Sequence, residues 1–139
     1  MDVIIPGTFD LFHEGHKKLI MYGDKMRGTN NLLIFVNGDE LSKSKGKTPT
    51  EPCSTRVYHV EQYLEDNNIR GRIIPIIKDY ESVVLATIRN PCFWLTGRDW
   101  NRKSTSERNN VPERFWEDND IYLVYKDRLP GVSSTEKRR

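Results

Sequence analysis

Val3-Ile4-Ile5-Pro6-Gly7-Thr8-Phe9-Asp10-Leu11-Phe12-His13-Glu14-Gly15-His16-Lys17 is the stretch whose reading decides the fold. A short apolar run, a glycine, a polar cluster and then helical spacing predict a buried strand, a tight turn and the start of a helix. Backbone N–H groups at a helix start are unpaired and sit at the positive end of the helix dipole, so such a junction suits phosphate. His13 and His16 are three residues apart and share one face if the helix has begun by then. Two other readings stay open here. The pair could be solvated turn residues, or His-x-x-His with Asp10 could ligate zinc, although the zincin pattern is His-Glu-x-x-His.

Working outward, residues 14–27 place Leu19, Ile20, Tyr22 and Met26 at helical spacing, and Gly28 is a stop. The continuous apolar run 32–36 suits a strand buried on both faces, closed by Asn37-Gly38-Asp39. Glu40 to Pro52, with Lys43, Lys45 and Lys47, reads as a loop, and 54–66 as a helix capped by Ser54 or Thr55. Residues 72–77 form a strand that Pro75 pushes towards an edge or a bulge. A short helix over 80–89, a strand over 92–95, a polar stretch, a short helix over 112–118 and a strand over 121–125 follow. Strand and helix alternate throughout, which predicts an α/β fold: a doubly wound parallel sheet of about five strands with helices on both faces. Ligands in such sheets bind outside the carboxyl ends of the strands. Each polar motif, 7–16, 37–39, 97–103 and 128–135, follows a strand.

With 139 residues the chain has room for one core, and a single domain is expected. Its 22 Lys and Arg against 20 Asp and Glu argue against bulk nucleic-acid binding. Cys53 and Cys92 have no paired spacing, so neither a zinc ribbon nor a disulfide framework is indicated. A leader and a membrane-spanning run are not seen, and a soluble, cytoplasmic protein is expected.

Gly7-Thr8-Phe9-Asp10-Leu11-Phe12-His13-Glu14-Gly15-His16 resembles the signature of the cytidylyltransferase family, typified by the glycerol-3-phosphate and choline-phosphate enzymes. That family lies in the nucleotidyltransferase superfamily with pantetheine-phosphate adenylyltransferase and the class I aminoacyl-tRNA synthetases. Asp39-Glu40 with the lysines up to Lys47 resembles its second element, although a solvated charged loop would look the same. Asp99-Trp100 with Lys103 resembles a third, with Arg98 in place of an acid. Arg128-Leu129-Pro130-Gly131-Val132-Ser133-Ser134-Thr135 resembles a fourth, in which Leu129 and Pro130 replace a hydroxyl and an acid. A glycine turn followed by hydroxyls at a helix start offers donors to phosphate in any family, or is simply a cap.

The resemblance implies a single Rossmann-like domain over 1–139 that transfers a nucleotidyl group from a nucleoside triphosphate to a small phosphorylated acceptor such as glycerol 3-phosphate. CMP is the preferred group; adenylyl transfer and a non-catalytic nucleotide sensor are the alternatives. By the same resemblance His13, His16 and Lys45 act in catalysis. Gly7, Thr8, Phe9, Gly15, Arg56, Asp99, Arg128, Ser133 and Ser134 bind the nucleotide, and Asp10, Asp39, Trp100 and Lys103 face the acceptor. Magnesium travels with the triphosphate and is not expected to have a protein metal site, and a homodimer is implied. His59 matches no motif and is read as structural or solvated.

Overall fold

The structure is a computed structural model, and it describes residues 1–44, 46, 48–77, 80–97 and 101–126, with 80–83 by their backbone alone. Five strands, β1 (Asp2–Gly7), β2 (Leu32–Asn37), β3 (Arg72–Ile76), β4 (Cys92–Thr96) and β5 (Ile121–Tyr125), form one sheet in the order β3-β2-β1-β4-β5. Every pairing is parallel. Between them run α1 (Glu14–Arg27), α2 (Asp39–Ser44), α3 (Cys53–Asp66), α4 (Tyr80–Thr87), α5 (Arg102–Arg108) and α6 (Phe115–Asp118).

Strand residues alternate between two cores, because successive side chains in a strand point to opposite faces. Val3, Ile5, Leu32, Ile34, Val36 and Leu95 pack with Leu19 and Ile20 of α1 and Val60 and Leu64 of α3. Ile4, Leu33, Phe35 and Trp94 pack on the other face with Leu41, Val84, Phe115 and Trp116. The expected doubly wound sheet is therefore observed, with both faces covered. Ile4, Ile5 and Ile34 are fully buried, so truncating any one to Ala would cost about 2 to 5 kcal/mol. Gly23 lets α1 lie close on β1, since a Cβ there would stand 2.7 Å from Ile5 Cδ1.

Several local expectations hold. Gly28 ends α1 at φ +59, and β3, which carries Pro75, is an edge strand. Others are corrected. The segment read as a loop from Glu40 begins as helix α2, and the polar stretch after Gly97 contains α5. The short helix expected over 112–118 is confined to Phe115–Asp118. The N-cap of α3 is Pro52, which makes no side-chain cap bond, and not Ser54 or Thr55.

The amino end of β1 is tied down by Asp2, which is 4% exposed. Its carboxylate accepts from Arg89 Nε and Nη2 at 3.0 and 3.1 Å and from the Asn31 backbone N–H at 2.9 Å. Burial alone would raise the Asp2 pKa, but these hydrogen bonds outweigh it and hold the group below the ordinary carboxylate value. A folded-state pKa below the unfolded one stabilises above the unfolded value, and that stabilisation is lost as pH falls through the folded one. Asp2→Asn should therefore lower the Tm at neutral pH, and the gap from wild type should close in acid as wild-type Asp2 is itself neutralised. Thermal melts across that range check it, and a gap independent of pH would reject the ion pair as its source.

Candidate active site

The pairing of β1 with β2 continues to Gly7↔Val36, whereas that of β1 with β4 stops at Ile4↔Trp94. Beyond that register the carboxyl halves of β1 and β4 part. The chain moves to one side of β1 through β2 and β3 and to the other through β4 and β5, so the parting coincides with the reversal of strand order, the position where open α/β sheets take ligands.

His13 follows the carboxyl end of β1 as the N-cap of α1, with extended backbone. Its Nδ1 accepts from the Gly15 backbone N–H at 3.0 Å, and His16 Nδ1 accepts from the His13 backbone N–H at 3.2 Å. A neutral imidazole whose Nδ1 accepts must carry its proton on Nε2, so both rings are set as Nε2–H donors. The rings stack at 3.8 Å between centroids and 21° between planes. Both histidines thus aim donors from one helix start, where the dipole also favours an anion. Gly15 makes this possible: a Cβ there would fall 2.9 Å from His13 Cε1. Phe12 stacks on His16 at 5.5 Å, Phe9 tilts against it at 5.2 Å, and Tyr63 of α3 backs Phe12 at 5.6 Å. Burial pushes the Tyr63 phenol pKa up, consistent with a neutral ring there.

The turn before the pair is strained and braced. Phe9 and Leu11 have φ of +55 and +48, a region L-residues rarely occupy. Phe9 is buried at 2% exposure, and its ring covers Gly7 so closely that a Cβ on Gly7 would lie 3.0 Å from it. Asp10 between them accepts from the backbone N–H groups of Thr50 and Glu51 at 2.9 and 3.0 Å. The Thr50 bond is the largest of the effects that hold the Asp10 carboxyl below its ordinary pKa. Arg56 is fully buried and donates to the carbonyls of Thr8, Asn37 and Glu51 at 2.6, 2.7 and 3.0 Å and to Asp39 Oδ1 at 2.6 Å.

Gly7, Thr8, Phe9, Asp10, His13, Gly15, His16, Asp39 and Arg56 are therefore brought to one end of β1 and β2. Arg56 is a buried strut and not a surface side chain, and Asp10 and Asp39 are engaged by the chain itself. Lys103 is exposed in the first turn of α5. Lys45, Arg98, Asp99, Trp100, Arg128, Leu129, Ser133 and Ser134 lie outside the described residues. Glu51, Phe12 and Tyr63 support the site and were not singled out from the sequence; Phe12 lies inside the motif, but Glu51 carries no local signal. Its Oε1 accepts from the Leu11 N–H at 2.9 Å, and its Oε2 stands 3.6 Å from His59 Nδ1. No group of three or more His, Cys, Asp or Glu among the described residues is placed to hold a metal ion. Of the two carboxylates within the signature, Asp10 already has both oxygens on backbone N–H groups.

The sequence pattern of the cytidylyltransferase-like family matches residues 4–139. The chain belongs to that family. Within this cytidylyltransferase-like group it is 34% identical over 82 residues to phosphopantetheine adenylyltransferase of Methanothermobacter thermautotrophicus, covering 59% of this chain and 48% of that protein. It is 25% identical over 138 residues to glycerol-3-phosphate cytidylyltransferase of Bacillus spizizenii, covering 99% and 94%. The chain thus spans about half the length of the adenylyltransferase it matches. A crystal structure of a protein of unknown function from Archaeoglobus fulgidus shares the fold with a TM-score of 0.69 at 21% identity, covering 96% and 94% of the two chains. No helix among the described residues is long and apolar enough to cross a membrane.

The cytidylyltransferase-like signature has a spectroscopic consequence. Long-range proton–nitrogen spectra should show His13 and His16 as Nε2–H tautomers in their neutral forms. Gly15→Ala should shift the His13 Nδ1 resonance, because the ring must move and its bond from the residue 15 backbone N–H is weakened. An unchanged His13 Nδ1 resonance in the variant would mean that Gly15 does not hold the pair.

Proposed function

We propose that this chain is a nucleotidyltransferase that moves an adenylyl group from ATP to a small phosphorylated acceptor and releases diphosphate. The observation that carries nucleotidyl transfer, whichever the base, is the stacked His13–His16 pair, with both Nδ1 atoms on backbone N–H groups at the carboxyl end of β1. An acceptor phosphate oxygen attacks the α-phosphorus; the new P–O bond forms as the bond to the β-phosphate oxygen breaks, and the electron pair leaves with diphosphate. Catalysis of such a transfer is positioning plus stabilisation of charge on phosphoryl oxygens. The two Nε2–H groups supply donors to those oxygens. Lys45 is assigned to the α-phosphate and the leaving group, Ser133 and Ser134 to the outer phosphates, and Arg128 to the nucleotide. Magnesium carried on the triphosphate neutralises phosphate charge.

The choice of adenylyl over the cytidylyl group expected from Phe9-Asp10-Leu11-Phe12 follows the higher identity to the adenylyltransferase relative. Cytidylyl transfer is the second reading, supported by a match running along nearly the whole of both chains. Asp39, Trp100 and Lys103 are assigned to the acceptor side, and Gly7, Thr8, Gly15 and Asp99 to the nucleotide. A homodimer accompanies this assignment and is tested by light scattering at micromolar concentration.

Calorimetric titration with ATP and CTP in magnesium separates the two bases. ATP should bind at least about tenfold tighter, as one mismatched buried hydrogen bond suffices for that ratio; the reverse order would replace the adenylyl assignment with the cytidylyl one. His16→Ala should lower turnover about a hundredfold with triphosphate affinity nearly intact. Wild-type turnover in that variant would remove His16 from the chemistry.

A further inference from the structure

We propose that Asp10 is a positioning residue that, with Glu51, clasps the far end of the lysine-bearing segment to the turn carrying the histidines, and is not a contact for the acceptor. The segment 39–51 leaves β2 and returns to α3, and both of its ends rest on the turn. At the near end Arg56 joins Asp39 to the Thr8 and Asn37 carbonyls. At the far end the bonding is reciprocal: Asp10 takes the Thr50 and Glu51 N–H groups, and Glu51 takes the Leu11 N–H. These are charge-assisted bonds between residues 40 or 41 positions apart, roughly twice as strong as neutral ones.

Each Asp10 oxygen already accepts from a backbone N–H, so an acceptor hydroxyl or ammonium would have to share those oxygens with the clasp. The left-handed conformations of Phe9 and Leu11 turn Phe9 into the core and Leu11, at 56% exposure, outward. Such conformations persist only where surrounding contacts over-determine them. Arg56 ties the same end through the main chain, donating to the Glu51 carbonyl, and its charge also favours ionised Asp10. Both ends of the segment that carries Lys43 are thereby tied to the turn before His13 and His16.

The clasp stands on these contacts alone; its effect on catalysis rests on the nucleotidyl-transfer reading. Trypsin, without nucleotide, reports local opening through cleavage after Lys43, Lys45 or Lys47. Asp10→Ala should speed that cleavage about tenfold over wild type, and Asp10→Asn, which keeps one acceptor oxygen, should do so less. Glu51→Gln, which retains an acceptor for Leu11, should stay near wild type while Glu51→Ala does not; this pair decides the matter if Asp10→Ala fails to fold. In turnover assays Asp10→Ala should raise the triphosphate KM about tenfold and leave the acceptor KM within about twofold. Unchanged cleavage in Asp10→Ala, or a rise confined to the acceptor KM, would overturn the proposal. A wild-type chain that turns over no triphosphate would sink the functional reading and leave the cleavage test in force.

Discussion

A buried guanidinium holds the active end of this molecule together. Taking an arginine to zero exposure is costly unless its donors are met, and here three carbonyls and a carboxylate from four separate places receive them. Those carbonyls belong to the end of β2, the turn after β1 and the residue before the α3 N-cap, all regions where sheet and helix leave backbone groups unpaired. One side chain thus satisfies polar groups that the fold itself orphans. The same bonds fix the height of the signature turn relative to β2. Placing the His pair therefore depends on a residue that is part of neither imidazole nor strand.

The sheet was legible because burial on both faces turns strands into apolar runs, and Val3-Ile4-Ile5, Leu32 to Val36 and Cys92 to Leu95 carry nothing else. Helices α1 and α3 were legible because their inward residues recur at helical spacing. Helices α2 and α5 were not, for a physical reason. α2 turns only Leu41 and Ser42 inward, and α5 buries Thr105 and Ser106, so hydrophobic periodicity has nothing to register. In α5 the inward side chains are satisfied by hydroxyl bonds: Thr105 and Ser106 donate back to the carbonyls of Asn101 and Arg102, and buried Trp116 Nε1 donates to Ser106. A polar helix sealed by such bonds looks like a loop in sequence.

The candidate site divides in the same way. The histidine pair is local, set by a cap, a glycine and one helical turn, and each of these is visible in ten residues. Asp10 and Glu51 bond across 40 or 41 positions and Arg56 reaches Thr8 across 48, and nothing in the neighbourhood of Glu51 announces its partner. Arg56 illustrates the ambiguity most sharply, because an arginine opening a helix after a lysine-rich stretch has the same spelling whether it meets phosphate, solvent or three carbonyls. Phe9 and Leu11 add a further obstacle: neither is glycine, so their left-handed backbone leaves no trace in residue type.

The geometry at the end of β1 also accounts for similarity to relatives of both adenylyl and cytidylyl type. Two Nε2–H donors and a helix dipole respond to negative oxygen, and the phosphates of ATP and CTP present the same oxygens in the same connectivity. Discrimination between bases requires polar groups matched to the edge of the ring, where an unmet donor or acceptor carries the penalty. His13 and His16 are both spent on donors of one kind, and their acceptor atoms are already occupied by backbone N–H groups. The pair is thus indifferent to the base by construction. On the proposed reading, such a junction suits either nucleotide, and the choice of base falls to residues outside the pair.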